Sequence, residues 1–154
     1  MPIIIETVLE EIKEVGTFKP AGPVSGVEGW YAAAVLDVGL EPTNHLLNDL
    51  SAERAALEQW GRPIYLVTTS EAQLERLHSE IDGGRFGTLP STVVFCIDKD
   101  GSFLSGLCEA LSVRADQLPV VYLANADGRV VFTSQGYTIG MGAKIAALAA
   151  RVQD

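Results

Sequence analysis

Three apolar runs divide the chain and predict buried strands. They cover residues 30–38, 62–70 and 91–98, and the first of them, WYAAAVLDV, is almost continuously apolar. Such runs are typical of strands that are covered on both faces of a sheet. A later apolar stretch, 119–136, is interrupted by the dipeptide Asp-Gly at 127–128, which predicts a β-hairpin.

Apolar residues at helical spacing predict a helix after each strand and a last one after the hairpin. The first predicted helix covers 43–60, with Thr43 or Asn44 as its N-cap and Gly61 as its C-cap. Its apolar positions are Leu46, Leu47, Leu50, Leu57 and Trp60. The second covers 70–81, with Ser70 as N-cap and an apolar stripe of Leu74, Leu77 and Ile81. Two more are predicted at 102–113 and 141–153.

The order of these elements predicts one α/β domain. Strands that alternate with helices favour parallel pairing with helical crossovers, and the hairpin adds antiparallel strands at an edge. We therefore expect a mixed central sheet with helices on both faces. Residues 1–29 are predicted to be either an N-terminal extension of a domain at 30–154 or a lead-in to it. Within the extension, IIIETVLEEIKEV fits a helix or a strand equally well, and KPAGPVSGVEG predicts an irregular surface connection.

Charge and hydropathy exclude several classes of partner. The net charge of −9 predicts a surface that repels nucleic acid and anionic lipid. No stretch reaches the ~18 consecutive apolar residues that a membrane-spanning helix requires. The first residues, MPIIIETVLEEIKEVG, lack the basic segment and the cleavage site of a signal peptide. We expect neither nucleic-acid binding nor membrane insertion.

Metal and phosphate sites are not predicted either. Cys96 and Cys108 are not in CxxC spacing, and His45 and His78 lie far apart in sequence. The glycines of GYTIGMG, residues 136–142, precede a helix, but their G-x-x-x-G-x-G spacing and the lack of a lysine favour a simple strand-to-helix turn. No cofactor is expected.

The second half of the chain resembles the thioredoxin-like superfamily. The stretch FCIDKDGSFLSGLCEALSVRADQLPVVYLANADGRVVFTSQGY has the order of features found in the branch of TlpA-type thiol-disulfide oxidoreductases and peroxiredoxins. These features are a strand ending in Asp, an Asp-Gly turn, a short helix, an X-Pro pair that begins a strand, and an Asp-Gly hairpin. The resemblance covers roughly residues 30–153 and implies a three-layer α/β/α sandwich whose mixed central sheet ends in a β-hairpin and a helix.

A narrower resemblance concerns two segments, GLEPTNHLLNDL and VVFTSQGYTIGMG. They are similar to thioredoxin-like domains appended to larger secreted or envelope proteins of bacteria, some of them with transglutaminase-like domains. Those domains commonly lack the redox cysteines. This resemblance implies a location in the bacterial periplasm or cell envelope and a protein or peptide as partner.

The position of the redox cysteines is vacant in this chain. In thioredoxins a Cys-x-x-Cys follows the first central strand, where the helix dipole stabilises the attacking thiolate. Alignment of Pro42 with the proline of Cys-Gly-Pro-Cys places Leu40 and Thr43 at the cysteine positions. Alignment with the Cys-Pro-Thr of peroxiredoxins places Glu41 there instead. Neither register supplies a thiol, and the Thr43 hydroxyl has no base beside it, since His45 does not share its helix face.

Two interpretations of the cysteines remain open. Cys108 lies on the apolar stripe of a helix and Cys96 inside a strand, which predicts buried and inert thiols. A Cys96–Cys108 disulfide is the alternative, and it would fit an atypical thiol-disulfide oxidoreductase that uses one of these residues.

The pair Leu118-Pro119 matches the cis-proline of the superfamily. The resemblance implies that its peptide bond is cis, and that the backbone before the proline pairs with an extended peptide in a groove beside the Glu41-Pro42-Thr43 turn. The sequence as a whole predicts a non-catalytic thioredoxin-fold domain that serves as a binding or structural module. A hydrolase or transferase using Thr43 or Glu41 ranks last, for want of a base and an oxyanion site.

Overall fold

The computed structural model of the protein describes residues 12–152. Its elements, in chain order, are β1 Gly16–Thr17, β2 Trp30–Val35, α1 Glu41–Ala52, α2 Arg54–Trp60, β3 Ile64–Thr68, α3 Glu71–Asp82, β4 Val93–Ile97, α4 Ser102–Leu111, β5 Val120–Asn125, β6 Arg129–Gln135 and α5 Met141–Arg151. The predicted alternation of strands and helices and the final hairpin are confirmed.

One six-stranded sheet, ordered β1-β6-β5-β2-β3-β4, forms the middle layer. The strands β2, β3 and β4 run parallel, as expected for strands joined by helical crossovers, and β5, β6 and β1 add antiparallel pairs. One face of the sheet packs against α1, α2, α3 and α5, and the other against α4. The predicted three-layer α/β/α sandwich with a mixed sheet is therefore the observed architecture.

Alternate residues of the central strand β2 face the two cores. Ala32 and Ala34 lie under the larger helical layer, with Leu46, Leu50 and Ile145 around them. Tyr31, Ala33 and Val35 face α4 instead. All six residues of β2 are buried, which explains why its sequence is apolar at every position rather than at every second one.

The predicted helix 43–60 differs from the structure at its start and in its middle. α1 begins at Glu41, with Leu40 as N-cap, so Thr43 and Asn44 are not caps. Pro42 lies inside the first turn, which proline tolerates because the N–H it lacks would have no helical partner there. The helix also breaks at Glu53, whose backbone angles of φ −98° and ψ 16° separate α1 from α2.

Three local signals from the sequence are confirmed. Gly61 ends α2 in the left-handed conformation, at φ 72°. Ser70 caps α3, and its hydroxyl accepts a hydrogen bond of 3.2 Å from the Gln73 N–H. The Asp-Gly turn joins β5 to β6, and Gly128 has a φ of 101°, a value that L-residues with a Cβ rarely adopt.

Part of the predicted extension contributes to the domain core. β1 pairs with β6, and Phe18 meets the rings of Phe103 and Tyr122 edge-on, each at a centroid distance of 5.6 Å. Val24, predicted to lie in a surface connection, is fully buried in the same cluster. Most of the segment IIIETVLEEIKEV lies outside the described residues. Within 12–152, no helix is both long enough and apolar enough to cross a membrane.

Candidate functional site

The predicted vacant redox position, Leu40 to Thr43, lies at the first turn of α1. Leu40, its N-cap, makes no side-chain capping bond, and its side chain is 48% exposed. Glu41 extends into solvent, whereas Thr43 is fully buried. Thr43 Oγ1 and Asn44 Oδ1 are buried atoms that have no hydrogen-bond partner among the described residues. One helical turn thus combines an exposed apolar cap with two unsatisfied polar atoms, a combination that local stability alone disfavours.

The helix α3 supports the loop that leads into this turn. The Val38 N–H donates a hydrogen bond of 2.7 Å to Gln73 Oε1. Gly39, at φ 98°, lies directly against the guanidinium of Arg76, where a Cβ would be only 2.4 Å from Arg76 Cζ. Glycine is needed here for the positive φ, which L-residues with a Cβ rarely adopt.

The predicted groove residues Leu118 and Pro119 lie at the same end of the sheet. Val35, the last residue of β2, pairs with Val120, the first of β5, so the chain leaves β2 toward Leu40 beside the point where Pro119 enters β5. The Leu118–Pro119 peptide bond is cis. The Pro119 carbonyl accepts a 2.9 Å bond from the Gly136 N–H. Within residues 12–152, the backbone N–H and C=O of Leu118 form no hydrogen bond.

A polar array along α1, which sequence reasoning missed, adjoins the turn. His45 Nε2 lies 3.8 Å from Glu41 Oε1, and the His45 ring packs on Tyr137 at a centroid distance of 5.1 Å. Tyr137 donates a 2.9 Å hydrogen bond to Asp49 Oδ2, which also accepts a 3.0 Å bond from the Gly142 N–H. Partial burial, and then the hydrogen bond with Asp49, raise the pKa of Tyr137.

This array joins α1 to the segment that begins α5. A Cβ on Gly142 would lie 2.6 Å from Asp49 Cβ, so the two helices approach as closely as glycine allows. The three glycines of GYTIGMG were a visible signal of close packing, but the partner, Asp49, lies far away in sequence. Its contacts hold α1 against the start of α5.

The two cysteines are free thiols outside this site. They are partly exposed, so the prediction that both are buried is wrong. Cys96 lies on the edge strand β4, and Cys108 lies on α4, a helix that is partly exposed to solvent. Burial, and then the charge of Asp98, raise the pKa of Cys96 to about 11, and burial raises that of Cys108. At neutral pH both are therefore protonated, and a protonated thiol is a poor nucleophile.

Two further candidates for chemistry in the described part of the chain are a metal site and the buried carboxylate of Asp98. Residues 12–152 contain no group of three or more His, Cys, Asp or Glu side chains placed to hold a metal ion. The Asp98 carboxylate, at the end of β4, accepts hydrogen bonds from the N–H groups of Phe103 and Leu104, at 3.1 and 2.9 Å. It therefore caps α4, a structural role.

Known proteins resemble this chain in structure rather than in sequence. No family model and no curated protein matches it. A thiol:disulfide interchange protein from Bacteroides sp. superposes with a TM-score of 0.58 at 14% identity, over 92% of each chain. Peroxiredoxin Q from Xanthomonas campestris gives 0.56 at 14% identity, over 83% of this chain and 82% of its own. The chain has a thioredoxin-like fold.

A third thioredoxin-like neighbour is a longer protein. The thioredoxin-like protein from Bacteroides caccae gives a TM-score of 0.57 at 12% identity, over 82% of this chain but only 42% of its own. At such low identities the superpositions establish the thioredoxin-like fold and nothing finer. The two cysteines of this chain, Cys96 and Cys108, are not in CxxC spacing, and neither lies in the turn from Leu40 to Thr43.

Proposed function

We propose that the chain is a non-catalytic thioredoxin-fold domain that binds a protein or peptide partner. The binding surface is the groove between the Leu40–Thr43 turn and Leu118–Pro119. In keeping with the resemblance of its sequence, the domain works within a larger bacterial protein of the periplasm or cell envelope. The observation that carries the proposal is the composition of the turn, where an exposed leucine is the N-cap of α1 and no residue from Leu40 to Thr43 carries a thiol.

The energetic argument concerns Leu40. Ser, Thr, Asp or Asn at an N-cap stabilises a helix by about 1 kcal/mol relative to an apolar residue. A leucine at this position, 48% exposed, therefore lacks the capping bond and gains only part of the free energy that full burial of its side chain would give. Positions that break a local rule in this way are where functional surfaces are expected.

Leu118 supplies the polar part of the groove. Its N–H and C=O are unpaired within the described residues, and they lie one position before Pro119 at the start of β5. An extended peptide can meet such groups by strand-like pairing while its side chains contact Leu40. Because the site offers one short backbone edge and little apolar area, binding is weak and non-covalent.

The thiols give no comparable support for redox catalysis. Cys96 and Cys108 lie in other elements, and neither has a lowered pKa. Catalytic cysteines have the opposite property, a pKa that is lowered by a helix N-terminus or a neighbouring cation.

The groove is tested with a random peptide library displayed on phage. Peptides selected on the wild-type protein should lose binding to Leu118→Asp, which places a carboxylate at the residue whose backbone N–H and C=O are proposed to pair with the peptide. Val15→Asp is the matched control, because Val15 is an apolar residue that is 50% exposed beside β1, at the far edge of the sheet. Loss with Leu118→Asp alone supports the proposal, after circular dichroism has shown that the variant is folded. Equal binding by both variants and the wild type places the functional surface elsewhere.

A further inference from the structure

The strand β4 has the composition of an interior strand but lies at the edge of the sheet. Its sequence, Val-Val-Phe-Cys-Ile, contains no polar residue, yet none of its five residues is buried and Val94 is 40% exposed. By contrast, every residue of the apolar strand β2 is buried. Apolar composition without burial indicates a surface that another chain covers.

Hydrogen bonds show which backbone groups of β4 face outward. The Ile64 N–H donates to the Thr92 carbonyl at 3.1 Å, and the Asp98 N–H donates to the Thr68 carbonyl at 2.9 Å. In a parallel pair this pattern directs the backbone N–H and C=O groups of Val94 and Cys96 toward β3. The backbone groups of Val93, Phe95 and Ile97 point away from β3.

The outward-facing groups have no partners in the described part of the chain. They are the C=O of Val93 and the N–H and C=O of both Phe95 and Ile97. The Val93 N–H is already used, since it donates to the Pro90 carbonyl at 3.2 Å. An edge that can accept further pairing therefore begins at Val93 and ends with the strand at Ile97.

The opposite edge of the sheet is protected, and β4 is not. β1 has only two residues, and Lys19 and Pro20 follow it closely. Short length, charge and proline are the usual protections of a sheet edge against pairing with another chain. β4 carries no charge and no proline, and its pairing with β3 continues without a bulge over all five residues.

From this edge we infer that two copies of the chain pair through β4, antiparallel and centred on Phe95. In this register the two Phe95 residues exchange N–H···O bonds, and the Ile97 N–H of each copy meets the Val93 carbonyl of the other. Val94 of one copy lies opposite Cys96 of the other. The six-stranded sheets then continue into one another, as two-fold symmetry requires of an isologous interface.

A second copy fits this edge because the edge is self-complementary. The residues before and after Phe95 in β4 are apolar. In an antiparallel pair, each copy therefore places apolar residues opposite apolar residues of the other. The nearest acidic group, Asp98, is 3% exposed and is directed toward the N–H groups at the start of α4. No like charges within β4 therefore oppose the pairing.

The area that the strands bury and the net charge of the chain determine how strong the association is. One strand of each copy buries a small area, so the dimer is weak and concentration-dependent. Each copy also carries a net charge of −9, so the two repel one another over the distance that salt leaves unscreened. Added salt should therefore strengthen the dimer, the opposite of its effect on an interface held by ion pairs.

Amide hydrogen exchange, measured by NMR at increasing protein concentration, tests the register without any variant. In the pairing proposed, Val94 and Cys96 are protected at every concentration, because their N–H groups face β3. Exchange at Phe95 and Ile97 should slow by about tenfold or more between about 10 µM and 1 mM protein. Sedimentation velocity should show the dimer over the same range.

The variant Val94→Lys adds a charge at the pairing surface, and Ile139→Lys is its control at a loop residue that is 92% exposed. Val94→Lys should stay monomeric and lose the protection at Phe95 and Ile97, whereas Ile139→Lys should behave as the wild type. Fast exchange of Phe95 and Ile97 at every concentration of the wild-type protein overturns the inference, whatever the variants do. So does a dimer that forms without protecting these two amides, or a monomer that binds only foreign peptides.

Discussion

The hydroxyl of Tyr31 lies 3.0 Å from the hydroxyl of Tyr122, in the core between the sheet and α4. Both side chains are fully buried, and their rings meet edge-on at a centroid distance of 5.6 Å. Each hydroxyl is the partner of the other. The pair is therefore a small polar element inside an otherwise apolar layer, and its energy depends on both members being present.

Removal of one hydroxyl should destabilise the protein more than removal of both. Tyr31→Phe leaves the Tyr122 hydroxyl buried without a partner, which costs about 1–3 kcal/mol. Tyr31→Phe with Tyr122→Phe should be no less stable than either single variant. Urea unfolding of the four proteins measures the coupling. Tyr65→Phe is the control, since Tyr65 is partly exposed and touches Tyr31 only through its ring. If the losses in free energy of unfolding from Tyr31→Phe and Tyr122→Phe were additive in the double variant, the two hydroxyls would not be coupled.

Alkaline pH should destabilise the fold before it affects most surface groups. Burial raises the pKa of Tyr31 to about 12, raises that of Tyr122, and raises that of Cys96 to about 11. The folded protein thus holds protons that the unfolded chain releases, and the free energy of unfolding decreases with pH wherever this is so. The decrease should begin near pH 9, where an ordinary cysteine ionises, and should steepen above pH 10 for the tyrosines.

Urea unfolding between pH 8 and about 11.5 follows this decrease, whose slope reaches about 1.4 kcal/mol per pH unit for each group. Cys96→Ser should reduce the part that begins near pH 9, and Cys108, whose pKa burial also raises, accounts for the rest. The double phenylalanine variant should reduce the part above pH 10, to which Tyr65 and Tyr137, whose pKa values are also raised, still contribute. A stability that stays constant to pH 11 in the wild type would show that these groups are not buried as described.

Leu40→Asp should make the protein more stable and less able to bind. An aspartate at the N-cap of α1 accepts a hydrogen bond from the first turn and favours the positive end of the helix dipole, a gain of about 1 kcal/mol. The same carboxylate removes the apolar contact proposed for the groove. Thermal unfolding and binding of the library-selected peptides check the two effects. Leu40→Ala is the matched control, which should weaken binding without the gain in stability. A Leu40→Asp variant that binds the peptides as the wild type does would refute the role of Leu40 in binding.

Gly142→Ala should destabilise the protein although alanine favours helices. Its Cβ would lie 2.6 Å from Asp49 Cβ and 3.1 Å from the Asp49 carbonyl oxygen, so α1 and α5 must separate. Such overpacking costs about 1–3 kcal/mol. Gly106→Ala, in α4, should instead stabilise by up to about 1 kcal/mol, because its Cβ meets only Phe18 Cε1, at 3.8 Å. Equal shifts in the two unfolding midpoints would contradict the close approach of α1 and α5.

The sequence predicted the features that depend on neighbours along the chain. Ser70 caps a helix and Gly61 ends one because both act on backbone groups a few residues away. The thioredoxin-like order of elements followed from apolar runs and turn residues in the same way. The predicted start of α1, at Thr43, is two residues late, because proline is well tolerated inside the first turn of a helix and Pro42 lies there.

Features that depend on distant parts of the chain were not predictable. Asp49 meets Tyr137 and Gly142 across about 90 intervening positions, and nothing local distinguishes this aspartate from a solvent-exposed one. The burial of Val24 depends in the same way on α4. The exposure of β4 was also hidden, since its residues are those of an interior strand and only the sheet order places it at the edge.

Restoring cysteines tests the alignment of the turn. Leu40→Cys with Thr43→Cys places two thiols at the start of α1, three positions apart, where the helix dipole lowers the pKa of a thiol. The double variant should form a reversible disulfide, measured as a loss of two hydrogens in the intact mass after mild oxidation. Thiols that stay reduced under conditions that oxidise thioredoxin would show that this turn is not the position of a redox site.

The reduction of insulin disulfides, with dithiothreitol as the electron donor, tests the central claim most directly. It is measured for the wild type and for Cys96→Ser with Cys108→Ser. We expect both to match the rate without protein, because the turn from Leu40 to Thr43 has no thiol and the pKa of each native cysteine is raised. Turnover by the wild type at a rate typical of thioredoxins, lost in the cysteine-free variant, would contradict the claim that the domain is non-catalytic.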